Sequence, residues 1–60
     1  MTARELINLL RKNGWPEVAQ SGSHLKLRKL GEERPIIVPI HSGDLKTGTL
    51  NAILKQAGLK

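Results

Sequence analysis

The sequence predicts an α+β domain with the order α-β-β-β-α, in which two helices lie on one face of a three-stranded antiparallel sheet. Both ends of the chain have apolar residues at helical spacing, and the middle reads as short strands separated by turns. Placing both helices on the same face buries both apolar stripes and leaves the other face of the sheet in water. The 60 residues are expected to form a single domain over 1–60.

The first helix is predicted over about residues 3 to 13. Thr2 and Glu5 have the T-x-x-E spacing of a capping box, whose side chains satisfy free N–H groups at a helix start. Gly14 suits the left-handed position that follows a helix. The predicted apolar stripe consists of Ala3, Leu6, Ile7, Leu9 and Leu10.

The second helix is predicted over about residues 47 to 57. Thr47 is expected to cap its start through the side chain, and Gly58 is expected to end it. Its apolar residues, at i, i+3, i+4 and i+7, are Leu50, Ile53, Leu54 and Ala57.

Three strands are predicted between the helices. They cover 15–20, 24–30 and 35–40, with turns at 21–23 and 31–34 and a loop at 41–44. Pro16 restricts the first strand to an edge, because proline has no N–H to donate. The third strand is rich in β-branched residues and is expected to be well buried.

The second strand carries the candidate site. Side chains alternate between the two faces of a sheet, so Leu25 and Leu27 are expected to meet the helices. His24, Lys26 and Arg28 then lie together on the open face. An imidazole can exchange a proton near neutral pH, and the neighbouring cations can hold a phosphate, so His24 is the candidate catalytic residue. The alternative is a surface histidine without a function.

Further residues are candidates for phosphate binding. The turn at Gly22 and Ser23 can present N–H and O–H donors, although it could equally be an ordinary turn. Lys29 extends the basic run. Lys46 and Thr47 stand at a helix start, where free N–H groups and the helix dipole favour an anion. His41 is either a second acid–base group or only part of a loop.

Composition narrows the class of partner. Ten Lys and Arg residues stand against five Asp and Glu, a net charge of +5 that favours a polyanion. Trp15 is the sole aromatic residue and is expected to lie in the core, so recognition through charge and shape is favoured over base stacking.

Composition also bears on chemistry and location. The absence of cysteine excludes disulfides and thiolate metal sites, and no metal or other cofactor is expected. Since neither a signal peptide nor a membrane-spanning run is found, a cytoplasmic protein without membrane contact is expected.

Four segments together resemble the HicA toxins of the HicA–HicB toxin–antitoxin systems. They are ELINLLRKNGW at 5–15, GSH at 22–24, IIVPIH at 36–41 and LKTGTLNAILKQAGL at 45–59. The resemblance implies a fold like that of a double-stranded-RNA-binding domain and an endoribonuclease that cleaves mRNA. It implies that His24 is catalytic, with Gly22 and Ser23 beside it, and that a HicB-type antitoxin covers the active site.

The chemistry that follows needs no metal. A base takes the proton from a ribose 2′-OH, which attacks the adjacent phosphate and leaves a 2′,3′-cyclic phosphate. His24 would be the base or the acid, and the second group is left open between His41, Lys26 and water.

Two other functions fit the same composition: an RNA-binding module that leaves RNA intact, and an interaction domain for an acidic protein.

Overall fold

The computed structural model describes residues 1–60 and has the predicted element order and sheet type. The elements are α1 (Ala3–Lys12), β1 (Glu17–Ser21), β2 (His24–Leu27), β3 (Ile36–Pro39) and α2 (Thr47–Gln56). The sheet order is β1-β2-β3, with both pairs antiparallel. The prediction of an α+β fold like that of a double-stranded-RNA-binding domain agrees with this architecture.

Helix α1 begins and ends as its sequence predicts. The backbone N–H of Thr2 donates to Glu5 Oε1 at 2.9 Å, and the N–H of Glu5 donates to Thr2 Oγ1 at 3.2 Å, which completes the capping box. At the other end Gly14 has a φ of +90°. The N–H of Trp15 then reaches the carbonyl of Leu10 at 3.0 Å, the return bond that closes a helix and turns the chain toward the sheet.

Helix α2 starts at Thr47, within the predicted range, but its N-cap lies one residue earlier than predicted and makes no side-chain capping bond. The N-cap is Lys46, and Thr47 is the first helical residue, so the prediction of a Thr47 cap is wrong. The extended backbone of Lys46 begins the helix, and its carbonyl accepts from the N–H of Leu50 at 2.9 Å. Gly58, with a φ of +75°, follows the helix as predicted.

The β1–β2 connection is a two-residue turn formed by Gly22 and Ser23. Ser21 belongs to β1 and pairs directly with His24, so the turn is one residue shorter than predicted. Gly22 has a φ of +58°, whereas Ser23 does not have a positive φ. A left-handed first residue followed by an ordinary second one is the type II′ pattern, whose twist matches that of a hairpin.

All three strands are shorter or shifted relative to the prediction. Strand β2 ends at Leu27 because the N–H of Arg28 leaves the ladder and donates to the carbonyl of Pro16 at 3.1 Å. Strand β1 starts at Glu17, since Trp15 is drawn into the core and Pro16 has no N–H. The β1–β2 register also shifts between Glu17 and Ala19, which leaves Val18 unpaired.

One apolar core joins the helices to a single face of the sheet. Each of α1, α2, β2 and β3 contributes buried residues to it, so both helices lie on the same face, as predicted. The opposite face is open, and Ile37 on it is 41% exposed. The core residues are Ala3, Leu6, Leu10, Trp15, Leu25, Leu27, Ile36, Val38, Leu45 and Ile53.

Helix α1 runs in the same direction as β2, which gives the domain two distinct ends. Near its start, Thr2 forms a β-bridge with Asp44 in the loop after β3. Just after its end, Gly14 lies against the side chain of Lys29, which follows β2. We call the end with the β1–β2 turn and the β3–α2 loop the hairpin end, and the other the Trp15 end.

The two threonines at the helix starts are expected to differ in their effect on stability. Thr2→Ala removes a side-chain cap and should lower the free energy of unfolding by about 1 kcal/mol. Thr47→Ala is the matched control, because the Thr47 side chain makes no capping bond, and it should have a much smaller effect. Urea unfolding followed by circular dichroism measures both, and equal losses would contradict the assignment.

Acid stability should depend on Glu5. The backbone N–H of Thr2, and then its side chain, donate to this carboxylate and lower its pKa below the ordinary 4.5. The unfolded chain therefore binds the proton more readily, and the stabilisation present above that value is lost as the pH falls through the folded-state pKa.

Glu5→Gln should therefore flatten the loss of Tm between neutral pH and about pH 3. Glu33→Gln, in the exposed 31–34 loop, removes a carboxylate without touching α1 and is the control. An unchanged acid slope in the Glu5 variant would contradict this account.

Candidate active site

His24 stands at the start of β2 on the open face of the sheet. Its neighbours Leu25 and Leu27 are buried at 4% and 0% exposure, whereas His24 is exposed. Its direct cross-strand partners are Ser21 on β1 and Pro39 on β3. Directly opposed residues share a face, so the imidazole lies between a serine and a proline, open to solvent at the hairpin end.

The turn before His24 is held through its carbonyl groups. The carbonyl of Ser23 accepts from the N–H of Ile40 at 2.6 Å, and the carbonyl of Gly22 accepts from Gln20 Nε2 at 3.2 Å. The N–H groups of Gly22 and Ser23 have no partner in the structure, and both residues are exposed. The turn is therefore fixed by its acceptors while its donors stay free for a ligand oxygen.

Lys26 occupies the centre of the open face. Its cross-strand partners are Ala19 on β1 and Ile37 on β3. These small and aliphatic neighbours cover its stem, so the residue is half-buried, and it forms no salt bridge within the chain. His24 and Lys26 thus share a face as the alternation predicts, about 7 Å apart along the strand.

Arg28 and Lys29 lie beyond the end of β2, whereas the prediction of a strand over 24–30 placed them on it. Both follow the end of β2, and Arg28 is about 13 Å from His24 along the chain. A β-carbon placed on Gly14 would lie 3.3 Å from Lys29 Cε, so the Lys29 side chain lies beside the end of α1. The structure therefore groups Arg28 with the open face only loosely and places Lys29 on the helix side.

The start of α2 lies at the hairpin end, eight positions after the strand residue opposite His24. Lys46 and Thr47 are exposed there, and the first turn contains no acidic residue. Because no side chain caps the helix, the amides of its first turn keep their donors unpaired. Lys46 and Thr47 therefore form a second group of cation and N–H donors at the same end of the domain.

His41 lies in the loop that joins β3 to α2 and is exposed. Its Nδ1 lies 3.1 Å from the carbonyl oxygen of Ser42. Asp44, also exposed, forms the bridge with Thr2 and lies 3.4 Å from the amino group of Met1. No second carboxylate joins it, and the structure contains no cluster of three His, Asp or Glu side chains that could hold a metal ion.

The exposed face of α1 is a basic surface that the sequence analysis did not single out. Arg4, Asn8 and Arg11 line a groove of about 330 Å³ between α1 and the sheet. In the sequence, their i, i+4, i+7 spacing already indicates that the three side chains share one face of the helix. Arg11 is paired with Glu17 at 3.7 Å, which leaves Arg4 as the unpaired cation of this groove.

The largest surface cleft does not contain the candidate site. It measures about 500 Å³ and is lined by Trp15, Gln56 and the charged loop 31–34. These residues lie at the Trp15 end, whereas both histidines are at the hairpin end. Trp15 Nε1 is buried without a hydrogen-bond partner, but the ring itself is core, as predicted. The candidate site therefore lies outside this cleft, on the open face of the sheet.

Comparison with known proteins agrees with the four sequence segments. A family model described as the HicA toxin of bacterial toxin–antitoxin systems matches residues 3–59. Curated proteins give no match to this chain. The family match spans both helices, the whole sheet and every residue of the candidate site. The chain therefore belongs to the HicA family of toxins from bacterial toxin–antitoxin systems.

Proposed function

We propose that this toxin is a metal-independent endoribonuclease that cleaves mRNA, with His24 as a catalytic acid or base. The observation that carries the proposal is the position of His24: an exposed imidazole beside a turn with two free N–H donors, in a chain of a toxin family. A histidine kept only for packing would be turned to the helix side with Leu25 and Leu27. Its open-face position makes it accessible to an extended strand of RNA.

The reaction is an internal transfer followed by release of a 5′-hydroxyl. The ribose 2′-oxygen loses its proton to a base and forms a bond to the neighbouring phosphorus, and the bond from phosphorus to the 5′-oxygen breaks as an acid protonates that oxygen. The products are a 2′,3′-cyclic phosphate and a new 5′-OH end. A positioned imidazole contributes about 10²- to 10⁴-fold to such a rate. The need for a 2′-OH explains why RNA rather than DNA would be cut.

The surrounding groups would hold the phosphate and stabilise its added charge. The Gly22 and Ser23 amides donate from one side of His24, and Lys26 supplies a cation from the other. Lys46 and Thr47 at the start of α2 would bind a neighbouring phosphate at the same end. Arg28 and Lys29 would contact the RNA farther along; of the two, Lys29 has the weaker structural support because of its position beside Gly14.

The proposed partners are mRNA and a HicB-type antitoxin. The family implies an antitoxin, and an open cationic face with an exposed histidine is a surface that such a protein could cover. Neither helix has the length or the apolar run needed to cross a membrane. A toxin acting on mRNA would work in the cytoplasm.

His24→Ala should strongly reduce cleavage while the fold and RNA binding persist. The side chain is exposed and contributes nothing to the core, so thermal unfolding should be unchanged. The rate of RNA cleavage should fall about 10²- to 10⁴-fold, and expression of the variant should no longer arrest growth. RNA integrity and growth measured together, for the variant and the wild type, give the result.

The control is Arg34→Ala, which removes an exposed basic side chain at the Trp15 end, away from His24, and should cleave RNA at the wild-type rate. Cleavage by the wild type should also persist in EDTA. A His24→Ala protein that cuts at the wild-type rate, or a strict requirement for Mg²⁺, would overturn the proposal. Binding of RNA without any cleavage would instead identify an RNA-binding module.

Lys26 and Lys29 form a pair that tests which face binds RNA. Each substitution to Gln removes one cation, and the two sites are three residues apart: Lys26 lies on the open face, and Lys29 lies past the end of β2 beside Gly14. Lys26→Gln should reduce the slope of log affinity against log salt by about 0.7, the value for one phosphate contact on a single strand. Lys29→Gln should reduce it less. The reverse order, measured by fluorescence anisotropy with catalytically inactive protein, would place the RNA on the other face.

A further inference from the structure

We infer that His41 is the second catalytic group of this site and acts as the general base, with His24 as the general acid. The inference rests on the proposed endoribonuclease function and adds a residue to it. One imidazole cannot both take the 2′-OH proton and protonate the leaving 5′-oxygen in the same step, so a second group is required.

The sheet register brings His41 close to His24. Pro39 lies directly opposite His24, and His41 is two positions farther along the chain. The ladder continues past Pro39, because the N–H of Ile40 donates to the carbonyl of Ser23 at 2.6 Å. A residue two positions from the direct partner is a diagonal neighbour, with the two backbones about 7 to 8 Å apart.

His41 is exposed like His24, two residues past the end of β3. Ile40 is half-buried and packs against the core, so the chain turns its next side chain away from the helices. Both imidazoles are exposed and lie at the hairpin end. Backbones at this spacing allow two exposed side chains to lie on either side of a phosphodiester, with the 2′-oxygen toward one ring and the 5′-oxygen toward the other.

The loop fixes which nitrogen of His41 can accept a proton. Nδ1 lies 3.1 Å from the carbonyl oxygen of Ser42, and a carbonyl oxygen can only accept a hydrogen bond. Nδ1 therefore carries the hydrogen, and Nε2 is the nitrogen with the free lone pair. A backbone carbonyl that orients the ring in this way is the arrangement that suits a general base.

The other candidates are less suited to this role. Lys26 supplies an ammonium group, which has charge and protons to donate but no lone pair. Asp44 is tied to the Met1 amino group at 3.4 Å and to the backbone of Thr2. His24 has no hydrogen bond within the chain that fixes its tautomer, so it is free to act as the acid.

In the resulting step the proton of the 2′-OH moves to His41 Nε2 as the 2′-oxygen bonds to phosphorus. The bond between phosphorus and the 5′-oxygen breaks, and protonated His24 gives its proton to that oxygen. The electron pairs and protons balance without a metal or another reactant. Hydrolysis of the cyclic phosphate is not required for strand scission.

The test compares RNA with nucleoside 3′-(4-nitrophenyl phosphate) diesters of all four bases. The nitrophenolate leaves without a proton, so these diesters need the base but not the acid. On RNA, both His24→Ala and His41→Ala should lower kcat by about 10²- to 10⁴-fold with KM little changed. On the nitrophenyl diesters, His24→Ala should recover most of the wild-type rate, whereas His41→Ala should not.

Controls separate the possible failures. His41→Asn keeps an N–H donor for the Ser42 carbonyl but has no titrating nitrogen, so it should be as inactive as the alanine variant. Arg34→Ala, at the Trp15 end, should be fully active. If wild type cleaves RNA and both His41 variants do so at the same rate, His41 is not catalytic and the proposed function still stands. If the rescue pattern is reversed, the roles assigned to the two histidines are wrong. If wild type cleaves neither substrate, the proposed function fails, and with it this inference.

Discussion

The pairing of β2 with β3 is the interaction on which the rest of the structure depends. In its register Leu25 faces Val38 and Leu27 faces Ile36, and all four side chains are buried against the helices. A slip of one residue would turn all four outward and bring His24 and Lys26 into the core. The hydrophobic effect therefore fixes the exposure of His24 indirectly, because burying the leucines leaves the imidazole only one face to occupy.

The turn at Gly22 connects this register to the candidate chemistry. A type II′ turn needs a left-handed first residue, which glycine adopts without steric cost, and it joins β1 to β2 with only two residues. That short connection places free amides immediately before His24. The glycine is thus needed for the fold, and the donors beside the imidazole follow from the same geometry.

The sequence could predict much of this arrangement, and the reasons are specific. The capping box of Thr2 and Glu5, the alternation through Leu25 and Leu27, and the family resemblance each depend on local patterns that survive in the fold. The element order, the shared face of the helices and the burial of Trp15 followed from them. The role of each candidate site residue is still a prediction, since position alone does not measure catalysis or binding.

The wrong predictions concern positions where tertiary contacts override the local sequence pattern. Strand β2 was predicted to reach residue 30, but Arg28 donates to the carbonyl of Pro16 instead of continuing the ladder, which no pattern within 24–30 could reveal. Thr47 was expected to cap α2, yet the chain enters the helix through the extended backbone of Lys46. The prediction therefore puts Lys26 and Arg28 on one strand, whereas only Lys26 lies on β2.

Stability and the candidate chemistry are carried by different residues in this domain. None of the residues proposed to bind or cleave RNA is among the ten core residues. The site lies at the hairpin end, in a turn, a strand start and two loop segments, whereas the only buried aromatic ring closes the core toward the other end. A chain of 60 residues buries only a small apolar core, so the loss of any buried apolar area would weaken the fold. Because the polar side chains lie on the uncovered face of the sheet, His24 can be exposed without loss of buried apolar area. The same uncovered face is accessible to a long anionic strand.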